Sequence, residues 1–192
     1  MSESILVHNG APTLAGLKTG NLFACPKEDR NRLCESLRGM NRRLGPRGVR
    51  ILPVKSLGGR ILIYIYRPER LRLDLSDSAA KGMLAARGYP VEDSDRCVAE
   101  LIRRLRAEGD FPHEVGLFLG YPPEDVSGFI TQGAKDAKCV GTWKVYGDEA
   151  AARRKFALYH KCTKIYREAY GRHRSLEKLT VPDGAHYRKG GI

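Results

Sequence analysis

The sequence predicts an α+β fold, a single domain in which a small mixed sheet containing a hairpin is covered by several helices. Three observations carry this. Two alternating apolar runs, "VRILPVKS" and "RILIYIYR", are separated only by "LGG", the pattern of an antiparallel hairpin. Segments with apolar residues at helical spacing stand on both sides of them. Strands and helices do not alternate regularly, which argues against a doubly wound parallel sheet. At 192 residues, with 42% hydrophobic and 29% charged, the chain can bury roughly 70% of its unfolded surface in one domain. That domain is expected over residues 1–182, with 183–192 as a flexible tail.

The opening stretch "HNGAPTLAGLKTGNLF" has weak helix and strand preferences and reads as a loop, the kind of segment that often shapes a site. A first helix is expected over residues 26–44. Pro26 suits its first position, Leu33, Cys34, Leu37, Met40 and Leu44 give its buried stripe, and Gly45-Pro46 stops it. In the hairpin, Ile61, Ile63 and Ile65 share one face and Leu62, Tyr64 and Tyr66 the other. Pro53 puts the first hairpin strand at an edge.

Residues 69–87 read as one or two short helices. A firmer helix follows from about Asp93 to Glu108, striped by Cys97, Val98, Leu101, Ile102 and Leu105. "EVGLFLG" reads as a strand, Pro123 to about Ile130 as a short helix, and "KCVGTWKVY" as another strand. Asp148 is the N-cap of a long last helix, and "SLEKL" adds a final turn.

No apolar run approaches the roughly 20 residues that span a bilayer, and no secretory leader is recognisable, so a cytoplasmic protein without a membrane partner is expected. Five widely spaced cysteines without a CxxC pair agree with a reducing compartment and give no metal site. The net charge of +12 raises the question of an anionic partner. Its basic residues are spread over four stretches, and three of these read as amphipathic helices whose outer face is ordinarily basic. A nucleic-acid-binding accessory protein using those helices is the alternative reading. No P-loop or dinucleotide fingerprint occurs, so the cofactor is unknown: tetrapyrroles, flavins and phosphorylated metabolites all stay open. The oligomeric state is equally unknown.

Candidate site residues come from several stretches. His113 and Glu114 in "FPHEVGLFLGYPPED" are the acid/base candidates, although neighbours on a strand point to opposite faces and need not meet. Cys25, at the expected helix cap before Pro26, would have its thiol activated by helix amides; the bland reading is a buried small residue. Lys18 and Arg67 are candidate anion holders, and His8 is a further ligand-binding candidate. Tyr64, Tyr66, Tyr121 and Trp143 are candidate ligand-orienting rings, while Trp143 and Lys144 are expected on opposite faces of one strand, so that at most one reaches a cavity. The aromatic stripe Phe156, Tyr159, Thr163, Tyr166 and Tyr170 is either core or a stacking surface.

Taken together, "HNGAPTLAGLKTGNLF", "LIYIYRPERL", "FPHEVGLFLGYPPEDVSGFI", "CVGTWKVYGD" and "ALYHKCTKIY" resemble a family of uncharacterised bacterial proteins, mostly from anaerobes, classed as a domain of unknown function. The resemblance implies one cytoplasmic domain and draws attention to Lys18, Arg67, His113, Glu114, Tyr121, Trp143 and Cys162. It implies no activity. The family pattern commonly has a cysteine directly before the first Ala-Pro, where this chain has Gly10. The combined expectation is binding of an anionic small molecule or cofactor, with turnover left open, where the opening loop, the Tyr64 strand and the His113 segment meet.

Overall fold

A computed structural model describes residues 1–133 and 135–184. In chain order the elements are α1 (Glu3–Leu14), β1 (Gly20–Pro26), α2 (Arg30–Leu44), β2 (Arg50–Leu57), β3 (Arg60–Tyr66), α3 (Pro68–Leu75), α4 (Ser78–Ala85) and α5 (Ser94–Arg106). They continue with α6 (Val115–Phe118), α7 (Pro123–Gln132), β4 (Cys139–Val140), β5 (Lys144–Val145), α8 (Glu149–His173) and α9 (Leu176–Leu179). The class is α+β. The chain forms two compact units: a sheet unit of residues 1–69 and 161–192, and a helical unit of residues 70–160. Of the expected tail, residues 185–192 lie outside the described residues.

The sheet unit is built on three strands in the order β1-β3-β2. Every pairing in it is antiparallel, with Gly20 opposite Tyr66 and Arg50 opposite the same residue on the other side, where a mixed sheet was expected. β2 is an edge strand, as Pro53 requires, and its register slips between Pro53 and Lys55 because a proline cannot donate to the ladder. Ile63 and Ile65 are fully buried beside Leu37, Leu44 and Ile51, and each such side chain contributes about 1.5–3 kcal/mol of apolar burial.

Two expectations fail in this unit. The opening stretch is not a loop throughout: its first half, to Leu14, completes the helix α1, and its end, from Gly20, begins β1. Leu6, Val7, Gly10, Ala11, Pro12, Thr13 and Leu14 are all buried, so the helix is enclosed on most sides and has no polar face to mark it in the sequence. The second failure is the start of α2. Its N-cap is Asp29, whose Oδ1 accepts the Asn31 and Arg32 amides at 3.0 and 3.2 Å, while Pro26 pairs with Arg60 inside the sheet. Cys25 therefore lies in a strand, away from any helix cap.

One buried cation ties this unit together. Arg67 is 2% exposed, and its Nε donates to the Thr13 carbonyl at 2.6 Å. One terminal nitrogen donates to the Leu14 and Val181 carbonyls, each at 2.7 Å, and the other to Asp183 Oδ1 at 2.6 Å. The guanidinium thus caps carbonyls at the C-terminal end of α1 that have no intrahelical donor. Beside it, Gly48 has φ 77°, and a Cβ there would lie 1.8 Å from Asp183 Oδ2.

In the helical unit α5 follows its predicted stripe, with Cys97, Val98, Leu101 and Leu105 buried. "EVGLFLG" is not a strand. The Leu119 amide bonds the Val115 carbonyl and the Tyr121 amide bonds the Gly116 carbonyl, a single helical turn closed by Gly120 at φ 75°. "KCVGTWKVY" is likewise two short strands rather than one, with Cys139 opposite Val145 and Val140 opposite Lys144. α8 begins as predicted, the Asp148 side chain accepting the Ala151 amide at 2.9 Å. Among the described residues no helix is long and apolar enough to cross a membrane.

Candidate binding cavity in the helical unit

The turn at residues 111–114 decides where its side chains point. His113 is exposed and Glu114 buried, so the two diverge, as expected, though because of a turn and not a strand pleat. The Glu114 carboxylate accepts the Tyr89 hydroxyl at 2.9 Å and faces Arg104 at 3.6 Å and Arg87 at 3.8 Å. Arg104 stacks over the Tyr89 ring at 4.3 Å and binds Glu100, whose carboxyl the Arg103 and Arg104 hydrogen bonds hold down at about 2. Glu114 is therefore consumed by a structural network.

His113 instead sits among rings. Its imidazole meets Phe129 edge-on at 4.9 Å and Phe111 at 6.1 Å. These three rings line a cavity of about 360 Å³ together with Tyr121 and Trp143, which are stacked at 4.8 Å with an angle of 26°. Phe156 braces Trp143 edge-on at 4.6 Å, so this part of the α8 stripe is core. Burial pushes the Tyr121 phenol up to about 12, leaving it neutral. Where α6 meets α7 at the cavity, Gly116 lets the walls approach, since a Cβ there would lie 2.7 Å from Val126 Cγ2.

Asp125 fixes the tryptophan. Its Oδ2 accepts the Trp143 indole N–H at 2.7 Å, and its Oδ1 accepts the Tyr146 and Gly147 amides, each at 2.7 Å. A carboxylate 3% exposed is tolerated because three donors replace its water. From the sequence it reads only as an acid in the first turn of α7. Its role as the anchor of residues 143–147 depends on the β4-β5 hairpin folding back onto α7.

The same hairpin overturns the expectation that Trp143 and Lys144 cannot both face a cavity. Trp143 lies just before β5, where strand alternation does not apply, and both residues line the site. The Lys144 ammonium stands 5.6 Å from the centre of the Phe129 ring, close enough for a cation–π contact. Phe111, Asp125, Phe129 and Lys144 also line the site and were not among the site candidates that the sequence offered. The "GTWKVY" stretch held the signal for Lys144, and a strand assignment hid it.

The other predicted site residues lie in the sheet unit. Tyr64 and Tyr66 are buried and stacked at 4.7 Å, parallel to within 1°. Lys18 is 4% exposed and donates to Asn21 Oδ1, and burial lowers its ammonium to about 7. Arg67 is engaged by its own chain as described. The Cys25 thiol is pushed up by burial, the opposite of activation. His8 is exposed on α1, at a separate groove. Among the described residues no group of His, Cys, Asp and Glu side chains is placed to hold a metal ion.

The fold and cavity define an α+β protein with an aromatic-walled site in its helical unit. The chain belongs to DUF3793, a family described as proteins of unknown function, whose sequence model matches residues 6–180. No curated protein and no solved structure matches it significantly.

Proposed function

We propose that the protein binds a flat, largely apolar small molecule carrying one anionic group, in the cavity between His113, Phe129, Tyr121 and Trp143. The observation that carries this reading is the cavity itself: about 360 Å³, within the range of small-molecule sites, and walled by rings with few polar groups. Flat ligands gain from stacking on such rings. Lys144 supplies the charge for a carboxylate, sulfonate or phosphate. Both Asp125 oxygens are already bonded to donors, so Asp125 adds less repulsion than a bare carboxylate would. His113 at the mouth is placed to exchange a proton with a bound ligand, which is where turnover would begin. The five free thiols suit a reducing, cytoplasmic setting for this role.

Trp143 is the sole tryptophan, so its fluorescence reports on the cavity directly. Titration with 1-anilinonaphthalene-8-sulfonate, a flat anion, is expected to quench it saturably. Replacing Lys144 with Met should weaken that probe about tenfold, roughly one charge-assisted contact, and leave the uncharged N-phenyl-1-naphthylamine unaffected. Equal losses for both probes would remove the anionic part of the reading. Absence of saturable quenching by either would remove the site.

A further inference from the structure

A second groove lies in the sheet unit, between α1 and the C-terminal part of α8. Its volume is about 290 Å³. Ser4, Val7 and His8 stand at helical spacing on one wall, and Arg167, Tyr170, Gly171 and Arg174 at helical spacing on the other. Val7, 1% exposed, is apolar floor. Apart from Gly171, the rest of the lining is two arginines, the His8 imidazole and the Ser4 and Tyr170 hydroxyls.

Two local rules are broken at this groove. Gly171 sits in the last turn of α8, where glycine still gives up more backbone entropy than other residues, although a Cβ there would meet nothing within 4 Å. Packing does not require it. Arg174, just past the helix end, has φ 46°, the left-handed conformation that glycine adopts without cost. An arginine is thus held where a glycine would suit the backbone, and a glycine where almost any residue would. Departures of this kind concentrate at functional sites. Their joint effect here is to keep the middle of the groove open and to place a guanidinium at its end.

Both arginines are available. Among the described residues neither Arg167 nor Arg174 has an acidic side chain at ion-pair distance. The nearby Glu3 is occupied, accepting the Tyr170 hydroxyl at 3.0 Å and pairing with Arg43. Guanidinium forks match phosphate oxygens in pairs, and a net charge of +12 draws anions to the molecule. We propose that this groove binds the phosphate or diphosphate group of a small phosphorylated molecule, held by Arg167 and Arg174 with His8 and Ser4 facing them.

The test is calorimetric titration of the full chain with inorganic pyrophosphate at constant ionic strength, followed in parallel by Trp143 fluorescence. Saturable one-to-one binding without a Trp143 response is expected, which separates this groove from the aromatic cavity. Arg167→Ala and Arg174→Ala should each weaken it at least tenfold, while Arg172→Ala, on the same helix but outside the groove, should leave it within twofold. Gly171→Leu should block the groove without lowering the melting temperature. The proposal is overturned by an unsaturable response, by an Arg172→Ala loss equal to that of Arg167→Ala, or by binding seen only with single-stranded DNA and not with pyrophosphate.

Discussion

Arg67 in the sheet unit and His113 in the helical unit are both polar residues that the sequence marks as site candidates, and the two units treat them in opposite ways. Arg67 is enclosed and gives its donors to Thr13, Leu14, Val181 and Asp183. His113 stays exposed at the edge of a cavity, touching rings and not hydrogen-bond partners. The sheet unit uses polar chemistry to fasten distant parts of its chain. The helical unit does the same through Glu114 and Asp125, the second of which lines the cavity. A polar residue in a motif can therefore be enclosed by the fold in one unit and left exposed beside a cavity in the other.

The strongest way to break this comparison is to remove the sheet unit's fastening. Arg67→Met should cost about 3–5 kcal/mol by urea denaturation, because it takes a charged donor from the Thr13, Leu14 and Val181 carbonyls and breaks the ion pair with Asp183. A loss under about 1 kcal/mol would mean the guanidinium is not structural. Next in size, Asp125→Ala should destabilise by about 2–3 kcal/mol and abolish probe binding together, since the Trp143 indole and the 146–147 amides lose one shared acceptor. His113→Ala, by contrast, should leave the melting temperature within a degree or two while changing probe affinity. If Asp125→Ala retained full binding, the anchor would be irrelevant to the cavity.

Lys18 gives a pH-dependent version of the same contrast. Its folded value of about 7 lies below the ordinary lysine value of about 10.4. Between those values the unfolded chain binds a proton that the native protein does not, so stability rises with pH there by at most about 1.4 kcal/mol per unit. The contribution is complete above the unfolded value and lost as pH falls to about 7. Lys18→Met should flatten that slope in denaturation curves taken at pH 7, 8 and 9; parallel curves for the two proteins would contradict it.

Glycines provide the finest comparison. At Gly128 an added Cβ would meet the Tyr146 ring at 2.4 Å, so Gly128→Ala should cost about 1–3 kcal/mol by overpacking. At Gly171 the Cβ is unopposed, and Gly171→Ala should instead gain about 0.5–1 kcal/mol of helix preference. Opposite signs in thermal unfolding would show that only the first glycine is required by packing. Equal signs would mean that the surroundings of one of them relax.

Much of the framework follows from the sequence by itself. The hairpin, α2 apart from its start, α5 and the start of α8 show in local signals: a buried stripe against a wet face along the helices, the apolar runs and "LGG" turn of the hairpin, and the Asp148 cap of α8. The stacking of Tyr64 on Tyr66 follows from the same two-residue period. What only tertiary structure decided is α1, enclosed on most sides and so without a polar stripe, and the turn at 111–120, where a short apolar run fits a strand or a helix equally well until its neighbours are in place. The cavity depended on that turn, on α7 and on the hairpin of β4 and β5. His113 and Glu114 diverge, Lys144 joins Trp143, and Asp125 becomes a three-donor acceptor only when the hairpin of β4 and β5 returns to α7. Only the Asp125 bonds join residues far apart in the chain; the other two are side-chain directions set by a turn and a hairpin, and local periodicity carries no record of either.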